Sequence, residues 1–155
     1  GSALYLYGFA GLALFLGFAV FASAAWLIPA ALRLLARRKA TQARRDLGRS
    51  LAWLAKEKGK ARPQDFYAAL ARAFRVYLAA RLLPSAPALT PRELQALGED
   101  SFPVPGLRDE AAALLAESDA VRYAGLEAGE DMMGQALARA ARLGDAAEEA
   151  LNAGL

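Results

Sequence analysis

The chain has 155 residues, with 19 Lys/Arg and 16 Asp/Glu, for a net charge of +3. It contains neither cysteine nor histidine, which excludes disulfides, thiol catalysis, His- or Cys-ligated metal and Ser–His–Asp chemistry within it. No GxxxxGK(S/T) or GxGxxG phosphate-binding pattern occurs.

Residues 4–32, LYLYGFAGLALFLGFAVFASAAWLIPAAL, carry no charged side chain. About 20 apolar residues suffice to span a hydrocarbon core about 30 Å thick, so this run predicts one transmembrane helix. Gly1 and Ser2 read as a cleavage scar, with residues 1–3 at the outer end and further chain expected before them. Tyr5 and Tyr7 lie near one end of the run and Trp26 near the other. Their separation, roughly 31 Å at 1.5 Å per residue, matches two aromatic belts at the two membrane interfaces. Ala13 and Gly17 form a small-xxx-small pair, a candidate helix–helix contact. Pro29 is expected to kink the inner end.

Arg33, Arg37, Arg38 and Lys39 come directly after the run. Residues 33–62 hold eleven Lys/Arg against two acidic residues, a local charge of +9. The positive-inside bias then predicts that everything after residue 32 is cytoplasmic, in a protein of single-pass topology. The same basic stretch suits anionic lipid headgroups. Residues 63–155 carry eight Arg and fourteen Asp/Glu, a charge of −6. That distal acidity argues against nucleic acid as a partner and suits a protein partner with a basic patch.

Leu47, Leu51 and Leu54 recur at helical spacing on a helix that continues from the membrane span. KEKGKARP, residues 56–63, breaks the pattern, so residues 33–62 read as a basic juxtamembrane helix or linker. A helix is predicted from Pro63–Asp65 to about Leu83. Phe66, Leu70, Phe74, Tyr77, Leu78 and Leu82 form its apolar stripe, with Arg72, Arg75 and Arg81 at its polar margin. Thr90-Pro91-Arg92-Glu93 is a capping box with Thr90 as N-cap, opening a short helix to about Leu97. Residues 98–106 form a turn-rich loop. A helix over Leu107–Tyr123 should turn Leu107, Ala111, Leu114, Leu115 and Val121 inward and stop at Gly125. A last helix from near Gly129 should bury Met133, Leu137, Ala140 and Ala141, with a break at Gly144–Asp145 and a fraying tail. The predicted fold class is therefore all-α: one N-terminal transmembrane helix followed by a small cytoplasmic helical bundle over residues 63–155.

The order of these pieces carries a resemblance. A membrane helix and basic juncture precede a leucine-spaced helix over 47–55, DFYAALARAFRVYLAARL at 65–82, LTPRELQAL at 89–97 and ESDAVRYAG at 117–125. Together they resemble the C-terminal end of BatD, the oxygen-tolerance protein of bacterial Bat operons, over most of residues 3–125. Thr90–Glu93 with Arg122–Tyr123 also resembles the cytoplasmic tails of some transglutaminase-like membrane proteins. The FYAALARAF pattern after the basic juncture favours BatD. The BatD resemblance implies a non-enzymatic adaptor without cofactor in aerotolerance or envelope stress. Its implied partners are a MoxR-type AAA+ ATPase and von Willebrand A-domain membrane proteins. A lipid-sensing surface module is the alternative that the basic stretch alone would support.

Four residues are candidate partner contacts: Glu117, Asp119, Arg122 and Tyr123. The first two belong to an acidic set with Glu99, Asp100, Asp109 and Glu110. The bland reading of that set is a solvated surface. For the Arg–Tyr pair it is a helix end at which Tyr packs its ring and Arg meets carbonyls or an acidic neighbour.

Overall fold

An Ala- and Leu-rich sequence carries the first element through Gly8, Gly11, Gly17 and Pro29. Ala, Leu and Phe dominate residues 3–35, and nothing before Gly59 closes the helix with a turn residue. In the computed structural model, which describes residues 2–154, helix α1 accordingly covers Ser2–Glu57. Gly1, half of the expected scar, and Leu155, the end of the expected fraying tail, lie outside the described residues. Pro29 sits inside α1 and does not end it. Ser23, a polar side chain within the apolar run, donates its hydroxyl to the Ala19 carbonyl at 2.8 Å, so its own proton is satisfied within the helix. All regular structure among the described residues is helical.

The chain divides into two compact units, residues 1–39 and 40–155. The first is the N-terminal part of α1. It is long and apolar enough to cross a membrane, and every side chain from Tyr5 to Lys39 is exposed. A helix that is apolar all round requires an apolar surrounding.

The second unit holds the end of α1, α2 (Pro63–Arg81), α3 (Pro91–Gln95), α4 (Leu107–Tyr123) and α5 (Glu130–Ala153). Short 3₁₀ turns at Ala86–Ala88 and Glu99–Ser101 flank α3. Helix α2 is central: it packs against α4, α5 and the 86–88 turn, while α3 lies on α4. Its large apolar residues at helical spacing explain this. Phe66, Tyr67, Leu70, Phe74, Tyr77 and Leu78 are all buried, a stripe wide enough to meet helices on two sides. Leu82 is half-buried and borders the same core.

Leu47, Leu51 and Leu54 of α1 are buried in this core. The folded unit therefore begins at Ala40, earlier than the expected 63–155 domain. Sequence makes residues 33–62 look like a linker because the charges dominate; the leucines at helical spacing tie its second half to the core.

Helix α3 begins as its sequence predicts. The Glu93 N–H donates to Thr90 Oγ1 at 3.1 Å, and Pro91 occupies the first turn. Helix α4 ends where Gly125 adopts φ 73°, a left-handed conformation that costs glycine little. Helix α5 differs from expectation. It runs without a break through Gly144 to Ala153. Gly144 is buried, and a Cβ there would lie 3.0 Å from Leu47 Cδ2 and 3.4 Å from Arg44 Nε. The glycine marks a close approach of α1 to α5.

Candidate partner-binding surface

Several charges of the second unit are tied into the fold. Arg81 of α2 meets Glu148 of α5 in a two-pronged pair, Nε–Oε1 2.7 Å and Nη2–Oε2 2.9 Å. Tyr77 donates its hydroxyl to the same carboxylate at 2.8 Å. Burial pushes the Glu148 carboxyl up, but the hydrogen bonds from Arg81 and Tyr77 and the positive charge of Arg81 outweigh it and hold it below the usual carboxylate range. The Arg81 guanidinium is correspondingly raised, chiefly by its hydrogen bond to Glu148. Burial, followed by the neighbouring carboxylate, raises the Tyr77 phenol.

A second set of the same kind joins α2, α4 and α5. Tyr67 lies 3.4 Å from Glu117 Oε2, and Arg139 donates to Glu117 Oε1 at 3.3 Å. Burial raises the Tyr67 phenol, and Glu117 adds to the effect. Glu117 is thus turned toward its own fold, which corrects the bland reading of it as a solvated surface residue. Glu99 and Asp109 pair with Arg108, and Glu110 with Arg142. An acidic docking face read from these residues loses most of its free carboxylates.

Arg75 is also more than a margin residue. It donates to the Ala86 carbonyl at 3.0 Å and to the Leu89 carbonyl, pinning the chain between α2 and α3. Periodicity places Arg75 and Arg81 beside the stripe, but their partners lie 11 to 67 residues away and leave no local trace.

Asp119, Arg122 and Tyr123 have a different environment. They line an open groove of about 480 Å³ between α2 and α4, closed at one end by the 87–90 segment. Arg72 and Val76 of α2 form its other wall. The Arg122 guanidinium carbon stands 4.8 Å from the Tyr123 ring centroid, a cation–π contact. Tyr123 is 72% exposed and Val76 57% exposed. The expected packing of the tyrosine ring into the fold therefore does not occur; the ring stands in solvent beside Arg122. Arg72 and Val76 gave no sequence signal, because an exposed residue on an amphipathic helix looks ordinary until a neighbour completes a groove.

In the first unit, Tyr5 and Trp26 are each 85% exposed, and Tyr7 is exposed beside Tyr5. Arg33, Arg37, Arg38 and Lys39 are exposed on α1 beyond the apolar run. Ala13 and Gly17 are exposed on the same helix, and a Cβ at Gly17 would meet nothing within 4 Å.

Among the described residues there is no cluster of three or more His, Cys, Asp or Glu suited to hold a metal ion. No family model, no curated protein and no solved structure matches this chain.

Proposed function

We propose that this chain is a non-enzymatic, single-pass membrane adaptor. Residues 4–32 anchor it in a bacterial inner membrane, and residues 40–155 stand on the cytoplasmic side and bind other proteins. The observation that carries this reading is the exposed, uncharged face of residues 5–32 in a chain whose residues 40–155 bury a core of their own. A long exposed apolar surface calls for lipid or protein around it. The charge step at Arg33 supports cytoplasmic placement of residues 33–155. With neither histidine nor cysteine to act as base or nucleophile, function rests on contact. Tethering would act by raising the effective concentration of whatever the domain binds.

The resemblance to BatD supplies the proposed partners, a MoxR-type AAA+ ATPase and von Willebrand A-domain membrane proteins, in aerotolerance or envelope stress. The test is to purify the full-length chain from its native membrane in mild detergent and identify what accompanies it. The reading expects a near-stoichiometric protein of one of these two classes. A chain that purifies alone, or that alkaline carbonate extracts from the membrane, would overturn it.

A further inference from the structure

The groove between α2 and α4 is cationic on a unit that is acidic overall. Residues 63–155 carry a net charge of −6. Five of their eight arginines are occupied: Arg81, Arg108, Arg139 and Arg142 by carboxylates, Arg75 by carbonyls. Of the other three, Arg92 lies outside this groove, and Arg72 and Arg122, which have no carboxylate partner among the described residues, both line it. Asp119, the single carboxylate in its lining, forms no ion pair with either. The same lining holds exposed apolar surface, Val76 and the ring of Tyr123.

We propose that this groove binds an acidic peptide segment of a protein partner, its carboxylates meeting Arg72 and Arg122 and an apolar side chain covering Val76 and Tyr123. The inference rests on the adaptor reading above and supplies the partner's chemistry. Arginine suits the role because its planar fork takes a carboxylate through two parallel hydrogen bonds. Arg and Tyr are the residue types enriched where interfaces hold most of their binding energy. Pinned by Arg75, the 86–89 segment holds the end of the groove in place without a partner, so little ordering opposes binding. The expected sign is the reverse of what overall acidity suggests: the groove selects a negative partner, and the surrounding acidity rejects segments that overrun it. An anionic bilayer fits less well, because the −6 charge around the groove would face the same surface.

The test uses the full-length chain in nanodiscs of zwitterionic lipid, with a fluorescein-labelled peptide Glu-Glu-Asp-Leu-Glu-Glu read by anisotropy. Saturable binding is expected, weakened about tenfold or more by Arg72→Glu with Arg122→Glu, the loss of charged hydrogen bonds. Asp119→Asn should strengthen it. Reversing Lys56 and Lys60 instead, exposed cations outside the groove, should leave it within about twofold, as expected of charges away from the contact. Arg72→Glu alone keeps the test sound if the double variant misfolds, because Arg72 is exposed and has no ion pair among the described residues. Equal loss from the lysine pair, no saturable binding, or an unchanged affinity in the arginine variants would each overturn the proposal. So would groove variants that lose only binding to anionic-lipid nanodiscs. A native partner retained by the arginine variant would sink the groove and leave the adaptor reading standing; no native partner with the unaltered chain would sink the adaptor reading itself.

Discussion

Arg81 and Glu148, 67 residues apart in sequence, form a two-pronged ion pair with side chains only 16% and 17% exposed. The pair fastens the C-terminal half of α5 to the end of α2, and Tyr77 completes it from one turn earlier. Removing one partner of such a pair leaves a charge with diminished hydration and no compensation.

Arg81→Met should therefore lower the stability of the folded unit by about 1–3 kcal/mol, read as a shift in the urea midpoint. Acid should act through the same carboxylate. Glu148 has a folded pKa below its unfolded value near 4.5, so its contribution is complete above that value and is lost as pH falls through the folded one. Glu148→Gln should be less stable at neutral pH and should lack that part of the acid-induced decline. A variant that parallels the wild type across the acid range would show that the pair contributes nothing.

Glu117 and Asp119 are two residues apart and should behave oppositely. Glu117→Lys faces Arg139 and crowds Tyr67, and should destabilise the unit by about 1–3 kcal/mol. Asp119→Lys sits in the open groove and should stay within about 0.5 kcal/mol of wild type. Thermal unfolding of the two single variants separates them; equal shifts would contradict the inward role given to Glu117.

The Thr90 cap makes a local prediction. Thr90→Ala removes the acceptor for the Glu93 N–H and should cost about 1 kcal/mol, whereas Thr90→Ser should cost little. Denaturant titration at equilibrium checks both. An unchanged midpoint for the alanine variant would mean that solvent caps α3 equally well.

These sites show what a sequence discloses. The Thr90 cap, the α2 stripe and the stop at Gly125 were legible because each depends on neighbours within about a turn of helix. The apolar run at 4–32 was legible from length alone. Gly144 was not. Beside Asp145 it resembles a helix break, and only the approach of Leu47 from α1 reveals why a side chain is missing there. The partners of Arg75, Arg81 and Glu117 are not legible for a related reason: helical periodicity says which side of a helix is polar, and says nothing about which distant carbonyl or carboxylate comes to meet it. Arg122 and Tyr123 stand out in the sequence, but their partners in the groove, Arg72 and Val76, lie on another helix.

Topology can be read independently of any partner. A reporter fused after Leu155 should be active only when it functions in the cytoplasm, as the basic step at Arg33 requires. Replacing Arg33, Arg37, Arg38 and Lys39 with glutamine should weaken that preference and yield a mixed population. A reporter active only outside the cytoplasm would reverse the orientation given to the whole chain.

The proposed role is to hold a protein partner at the membrane. The direct measurement is co-sedimentation of the purified native partner with lipid vesicles, with and without the reconstituted full-length chain. The partner should pellet with chain-bearing vesicles, remain in solution with bare ones, and be released by an excess of soluble residues 40–155. A partner that sediments equally with bare vesicles, or that stays in solution with both, would contradict the account.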